Sequence, residues 1–425
     1  MVLGSVARVP SKVCAFFFTA SFILVLLICS LFKHFIPHRA QDSASHQSSQ
    51  LTNSERKLKK DVGYYLKLAG FAAEYHDTVT SSGYKLRLTR IVATASVSDK
   101  PKYPVLLIPG LMQGSPAYVT SGPNSIALVL ARAGLDVWLG DNRGSFVGEH
   151  EKYSRWLSNN VWKWDIRDLA REDVPTLVSA VLAVSGSSSC AIVGHSQGTA
   201  ETFIALSKDA NLDLAGKISS FNALAPAVYA GPLVDRWYFR ILRRSKWVWN
   251  AMMGYGPFLG PMIALNSILP LRVSSYMGYV MFNYLMEWND SLWDTRFKDR
   301  NFIFAPVYVS SQHMRWWLGK NGFAEKKCLF DESAAQWFSD EFPPLSLFIC
   351  GRDSLCVGSH LINRLRTYEQ HVDLTVFDLA TYSHLDVLWA ADAGSRVAVP
   401  LLNYIWSHCK EQQRYQQPCL DIDLI

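Results

Sequence analysis

The amino-acid sequence predicts an α/β protein with a mostly parallel central sheet, helices on both faces, and one large apolar insertion. Three observations carry that reading. Short apolar runs ending in Gly or Pro alternate with helical stretches from about Tyr75 onward. The alternation stops between Val228 and Phe342, where Trp, Tyr, Met and Phe crowd among Gly and Pro, and then resumes. The chain has 425 residues, enough for one large α/β domain carrying an insertion or for two or three smaller domains.

Taken in order, the elements follow local rules. YHDTVTSSGYKLRLTRIVAT places alternating β-formers around Ser-Ser-Gly, a hairpin pattern. YPVLLIPG is a short apolar run closed by Pro-Gly, as expected of a buried strand. SIALVLARAG reads as a helix closed by Gly134, followed by the strand LDVWLGD and the loop NRGS. DLAREDVPTLVSAVLAVSG is helical, CAIVGHSQG runs from strand into a tight turn, TAETFIALSK is a helix, and KISSFNALAP is again a strand. After the insertion come PLSLFICGRDSL, VDLTVFDLATYSHLD and a final helix SRVAVPLLNYIWSHCK. Two uncharged stretches lie in the insertion, 247–271 and 273–286. The first holds Gly254, Gly256, Pro257, Gly260 and Pro261, too many breakers for a comfortable membrane-spanning helix.

Composition narrows the function. Hydrophobic residues make up 49% and aromatics 13%, which excludes disorder as the main state. Charged residues are only 18%, against roughly 25% in ordinary soluble domains. The net charge of +6 is carried entirely by residues 1–60, which hold eight basic and two acidic side chains. The remainder is formally neutral, so there is no basic field for nucleic acid. That charge flanks Val13 to Phe32, an uncharged run long enough to cross a bilayer as a helix and longer than the apolar part of a cleaved signal peptide. We read it as a membrane anchor. Basic residues on both sides leave its orientation open.

The expected organisation is therefore an N-terminal tail (1–12), an anchor helix (13–32), a polar and basic linker (33–60), and a core in two parts (61–227 and 343–410). A cap occupies 228–342 and a C-terminal tail 411–425. The stretch ERKLKKDVGYYLKLAGF reads equally as a lipid-surface segment or as the first helix of the folded body. No CxxC pair occurs among the eight cysteines, and nothing in the sequence calls for a metal or an organic cofactor.

Gly194-His195-Ser196-Gln197-Gly198 fits G-x-S-x-G between a strand and a helix. That context suits a nucleophile in a strained turn, where flanking glycines allow close backbone packing. The same five residues in an ordinary Gly-rich turn are the alternative. A nucleophilic serine needs a base, and the base an orienting carboxylate, in the chain order Ser, Asp, His for this type of fold. Asp353 follows the strand LSLFIC, and His384 lies in the loop after LTVFDL. His195 sits inside the elbow and cannot turn back to Ser196, while His360 and His371 fall on expected helix. Ser196, Asp353 and His384 are the expected catalytic set, with the amides of Gln197 and Leu111 as oxyanion donors. Asp353 as a plain turn residue is the alternative.

IPGLMQGSPAYVTSGPNSIALVLARAGLDVWLGDNRG, the KWDIRDLAREDVP stretch, GHSQG, CGRDSL and YSHLDVLWA together resemble the acid lipase family of α/β-hydrolases. That family includes gastric and lysosomal acid lipases and fungal membrane-anchored steryl ester hydrolases. The likeness runs from about Glu74 to Tyr404, and the anchor is similar to the steryl ester hydrolase branch. It implies a fatty-acyl ester of a neutral lipid as substrate, most simply a steryl ester. A triacylglycerol lipase is the runner-up, and a catalytically silent lipid-binding relative is a rival of another class. By motif, Ser196, Asp353, His384, Leu111 and Gln197 take the family's roles. Two departures stand out: Pro109-Gly110-Leu111 replaces His-Gly-Leu, and Gly140-Asp141-Asn142-Arg143-Gly144 replaces Gly-Asn-Ser-Arg-Gly. The expected location is a membrane or lipid-droplet surface, at the endoplasmic reticulum or droplet, with the plasma membrane as the alternative. Within the cap, residues 236–249 could form one helix with Arg240, Arg243 and Arg244 set toward an anionic monolayer. A solvated cap helix is the other reading.

Overall fold

The computed structural model describes residues 17, 20–21, 24–25, 27–30, 51–94, 100–145, 149–154, 158–210, 213–243, 245–288 and 290–419. Its centre is an eight-stranded sheet: β1 (Phe71–Val79), β2 (Lys85–Ala93), β3 (Pro104–Ile108), β4 (Asp136–Asp141), β5 (Cys190–His195), β6 (Ile218–Leu224), β7 (Leu345–Cys350) and β8 (Leu374–Leu379). The spatial order is β1-β2-β4-β3-β5-β6-β7-β8. β1 and β2 form the expected antiparallel hairpin, β2 meets β4 antiparallel, and every other pair is parallel.

Burial follows sequence pattern. β3 through β7 are buried at every residue, because their apolar runs are covered on both faces. β1 alternates instead and lies at the edge, where Asp77 is opposite Arg87 and pairs with it at 2.7 Å. One face of the sheet (Val105, Leu107, Val137, Leu139, Ala191, Val193) packs with α2 (Ile126–Arg132) and the last helix. The other face (Leu106, Ile108, Trp138, Ile192) packs with α3 (Val174–Ser185) and α4 (Gln197–Ala205). A preceding helix, α1 (Val62–Leu68), buries Val62, Tyr65 and Leu66 in the first of these clusters. Of the two readings of that basic stretch, the structure shows the first helix of the folded body.

α3 and the last helix each carry Pro near their start, Pro175 and Pro400, and each follows a wide π-type turn, Leu169–Asp173 and Gly394–Ala398. Proline lacks an amide and its ring crowds the carbonyl four residues back, so the extra residue per turn relieves both. The first such turn presents Asp173, fully buried, to Arg143 of the loop after β4.

Between β6 and β7 no described residue joins the sheet. This insertion is helical: α5 (Trp237–Leu242), α6 (Lys246–Met253), α7 (Gly260–Ile268), α8 (Leu271–Met286) and α9 (Ser311–Leu318), with shorter turns. The breakers at Gly254–Pro257 divide the long uncharged stretch as expected. The proposed single helix over 236–249 is corrected: it is split between α5 and α6 by Arg243 and Ser245. Beyond the insertion, α10 (Gly358–Tyr368) and α11 (Val399–Ser407) complete the layers. The C-terminal stretch does not hang free through residue 419. Tyr415 is buried beside Tyr103 and bonds Ser187, and the Cys419 amide donates to the Ala133 carbonyl.

The bounds of the expected anchor, Val13 and Phe32, lie outside the described residues. Those described within it (Phe17, Ala20, Ser21, Leu24, Val25 and 27–30) are helical, and Phe17, Leu24, Val25 and Ile28 are each more than half exposed. Among the described residues, no helix is long and apolar enough to cross a membrane.

Candidate active site

The parallel strands deliver the site residues to one edge. Ser196 follows β5, Asp353 follows β7, His384 follows β8, and Leu111 follows β3, all at carboxyl ends. Such ends are where open α/β sheets hold ligands. Ser196 has φ +52° and ψ −111°, a backbone state that L-residues adopt only under constraint. The constraint is the crossing of β5 and α4. A Cβ at Gly194 would come within 2.7 Å of the Gly198 backbone, and one at Gly198 within 2.4 Å of the Ile108 carbonyl. Both glycines are therefore steric requirements of the elbow.

The Ser196 Oγ lies 2.8 Å from His384 Nε2, and His384 Nδ1 lies 2.7 Å from Asp353 Oδ2. A carboxylate only accepts, so Nδ1 carries the proton and Nε2 is free to accept from the Ser196 hydroxyl. The other oxygen, Asp353 Oδ1, accepts the amides of Leu355 at 2.8 Å and Cys356 at 3.0 Å. The three side chains expected from sequence are thus one hydrogen-bonded chain. Asp386, two residues past His384, holds that residue's loop. It accepts from the Ser383 amide and hydroxyl and from Trp293 Nε1, at 2.6–2.7 Å.

Asp353, Cys356 and His384 also place three potential metal-ligand atoms within 4.8 Å of one another. The oxygens of Asp353 already accept three donors, and burial beside Asp353 raises the Cys356 thiol well above its usual range. That chemistry suits the Ser–His–Asp chain rather than a metal.

Leu111 and Ser196 line the same cavity, and the loop that carries Leu111 packs tightly against Ser196. A Cβ at Gly110 would meet Gln113 Oε1 at 2.7 Å, His195 Nδ1 at 2.9 Å and Ser196 Cβ at 3.3 Å. Gln197 opens α4, where the first amides have no intrahelical partner and the helix dipole favours negative charge. Pro109, the departure from the family pattern, is buried, and the expected donor is the amide two residues further on, at Leu111. In the second departing motif, Asp141 accepts the Ser115 amide at 2.7 Å, Asn142 donates to Glu201 at 2.7 Å, and Arg143 donates to Asp173 at 2.8 Å.

The cavity encloses about 950 Å³ of unfilled space, its mouth included. Ser196 and His384 lie on its floor, and Phe239, Phe282, Trp288, Phe302, Met314 and Trp317 of the insertion form its apolar wall. The same packing fixes the roll of α5. Tyr238 and Phe239 point inward, leaving Arg236, Trp237, Arg240 and Ile241 exposed together. Trp237 and Ile241 thus share the exposed side of α5 with Arg240. Arg243 turns back onto Asp235 and the Val234 carbonyl, so it is not offered to a surface, and Arg244 lies outside the described residues.

Sequence reasoning missed two buried histidines. His195 points away from Ser196, as expected, but its Nε2 lies 3.2 Å from the His384 carbonyl and its Nδ1 3.1 Å from the Gln113 side-chain oxygen. It braces the His384 loop against the loop after β3. His313 of α9 has Nε2 2.6 Å from Gln197 Oε1. No sequence motif marks His313, which lies on the buried side of a mixed polar and aromatic helix with Met314 and Trp317.

Burial pushes both His195 and His313 down to about 3. Their folded forms are neutral while an unfolded chain protonates below about 6.5, so their stability contribution is full above that pH and drains as pH falls toward 3. Each costs up to about 1.4 kcal/mol per pH unit in that window. Asp141, raised by burial to about 6, acts with the opposite sign. Replacing His313 with Gln should therefore flatten the loss of denaturant midpoint between pH 7 and 5. Parallel curves for the two proteins would contradict the buried neutral imidazole.

The sheet order and the Ser196–His384–Asp353 alignment place the chain in the α/β-hydrolase class. The chain belongs to the lipase family within it and is a carboxylic ester hydrolase. The family described as the partial alpha/beta-hydrolase lipase region matches residues 62–122. Sterol esterase 2 of Saccharomyces cerevisiae is 34% identical over 82% of this chain and 72% of its own length. Human gastric triacylglycerol lipase is 26% identical over 79% and 88%, and human lysosomal acid lipase/cholesteryl ester hydrolase 28% over 83% and 92%. A crystal structure from Sulfolobus solfataricus, 15% identical, shares the fold with a TM-score of 0.50 over 80% of this chain and 95% of that one.

Proposed function

We propose that this chain is a membrane-anchored hydrolase that cleaves fatty-acyl esters of neutral lipids, steryl esters first, through an acyl-enzyme on Ser196. The observation that carries it is the Ser196–His384–Asp353 hydrogen-bonded chain on the floor of a cavity walled by the insertion's aromatic residues. His384 Nε2 takes the Ser196 proton as Oγ attacks the ester carbonyl. The amides of Leu111 and Gln197 receive the oxyanion. His384 then gives its proton to the leaving alcohol, and water repeats the sequence on the acyl-enzyme. Asp353 keeps the proton on Nδ1 and stabilises the imidazolium. The apolar wall suits a long acyl chain and a rigid apolar alcohol. Similarity to the yeast sterol esterase supports the steryl ester, and the gastric relatives support acylglycerol as the second reading.

The uncharged run from Val13 to Phe32 would tether this site to a membrane, at the endoplasmic reticulum or a lipid droplet. The exposed Trp237, Ile241 and Arg240 of α5 are the side chains the insertion would set against such a surface. Parallel hydrolysis of emulsified steryl oleate and trioleoylglycerol by detergent-solubilised protein tests the substrate. Faster steryl oleate cleavage is expected. Cleavage of trioleoylglycerol alone would transfer the assignment to the acylglycerol lipase, and cleavage of neither would sink both.

A further inference from the structure

We infer that His313 is a positioning residue that holds the Gln197 side chain, and through it the Gln197 peptide plane, in register with Ser196. The inference rests on the proposed use of the Gln197 amide as an oxyanion donor. It concerns what keeps that amide in place.

His313 enters from the insertion, 116 residues along the chain from Gln197. Ser310 fixes the start of α9 by accepting the His313 amide at 2.9 Å and donating to the Trp164 carbonyl at 2.6 Å. The His313 ring is fully buried, lies 5.2 Å from the Trp164 ring, and has Trp317 Nε1 3.2 Å from its Nε2. The shorter contact, 2.6 Å to Gln197 Oε1, takes the Nε2 proton, because a carbonyl oxygen only accepts, and the Trp317 N–H, itself only a donor, then meets no lone pair at Nε2. At the other end of the same amide, Gln197 Nε2 faces Glu201 Oε2 at 3.5 Å, and Glu201 Oε1 accepts Asn142 Nδ2 at 2.7 Å. A buried polar relay thus runs from the insertion, through the residue after the nucleophile, to the loop after β4.

Stability alone does not account for this relay. It ends at both extremities on buried atoms without a partner among the described residues, His313 Nδ1 and Asn142 Oδ1. A partly satisfied buried network stabilises less than an apolar packing of the same volume. Its geometric effect is specific, however. Gln197 has three rotatable side-chain bonds, and a contact at each end of its amide immobilises them beside Ser196. Burial also raises the Glu201 carboxyl well above its usual range, which disfavours a negative charge at the inner end of the relay. A shift of about 1 Å in such a donor is enough to cost roughly 100-fold in rate.

The test is a kinetic cycle on the full chain with a short soluble p-nitrophenyl ester, which avoids lipid-interface steps. His313→Leu removes the donor while keeping bulk, Gln197→Ala removes the acceptor while leaving its backbone amide, and the double variant combines them. Each single change should lower kcat by about 10- to 100-fold with KM moved less than about threefold, and the double should be no slower than the worse single. His313→Gln, which restores an amide donor, should recover most of kcat. Wild-type kcat in folded His313→Leu, a loss confined to KM, or losses that multiply in the double variant would each overturn the inference. Should His313→Leu not fold, Gln197→Ala and His313→Gln decide it alone: normal kcat in the first or an unrescued kcat in the second is fatal. Ser196→Ala run alongside separates the two levels, since an inert Ser196→Ala with an unimpaired His313→Leu removes the positioning role and leaves the hydrolase reading intact.

Discussion

Replacing Ser196 with Ala is expected to lower turnover of any ester substrate by about 10⁵-fold or more while leaving the fold intact. The removed Oγ is the atom 2.8 Å from His384 Nε2, and no other hydroxyl in the cavity floor takes its place in the chain to Asp353. Covalent capture by a fluorophosphonate should disappear with it. Ser196→Gly separates chemistry from stability. It is equally inert, but φ +52° and ψ −111° cost a glycine far less than a serine. About 1 kcal/mol of strain is released, against the lost hydroxyl bond, so its melting temperature should not fall below that of Ser196→Ala. Residual turnover within 100-fold of wild type in either variant would remove Ser196 as the nucleophile. A clear drop in melting temperature for the glycine variant would refute the strain.

Asp353→Asn should reduce kcat by about 10⁴-fold, although it changes one atom. The reason is in the bonding. Oδ1 accepts two backbone amides, from Leu355 and Cys356, and only an oxygen can sit there. The NH₂ of an asparagine is therefore turned to His384 Nδ1, which must then accept rather than donate. The ring's proton moves to Nε2, and the nitrogen facing Ser196 can no longer take a proton. Melting and substrate KM should change little. A loss below about tenfold would mean that Asp353 does not set the tautomer, and attention would pass to Asp386, whose oxygens are already engaged by Ser383 and Trp293.

Much of this site was legible because its parts are local. G-x-S-x-G between an apolar strand and a helix states its own geometry, and the strand-end positions of Asp353 and His384 follow from the runs LSLFIC and LTVFDL. The roll of α5 was not legible. Arg236, Arg240 and Arg243 are spaced as one face, but Asp235 and the Val234 carbonyl draw Arg243 inward, and burial of Tyr238 and Phe239 brings Trp237 outward with Arg240. His195 and His313 were illegible for a related reason: a histidine's partners are chosen by whatever packs against it, here the His384 carbonyl and the Gln197 amide.

The sequence by itself determined the strands, the elbow, the insertion and the three residues in the order their chemistry requires. These depend on backbone sterics and on apolar runs that act over a few neighbouring residues. Only the tertiary structure decided that Ser196 and His384, 188 residues apart, meet at 2.8 Å, which side of α5 faces outward, and that a helix of the insertion contacts Gln197, the residue after Ser196. Those are matters of which surfaces bury one another, and burial is settled by the whole chain at once.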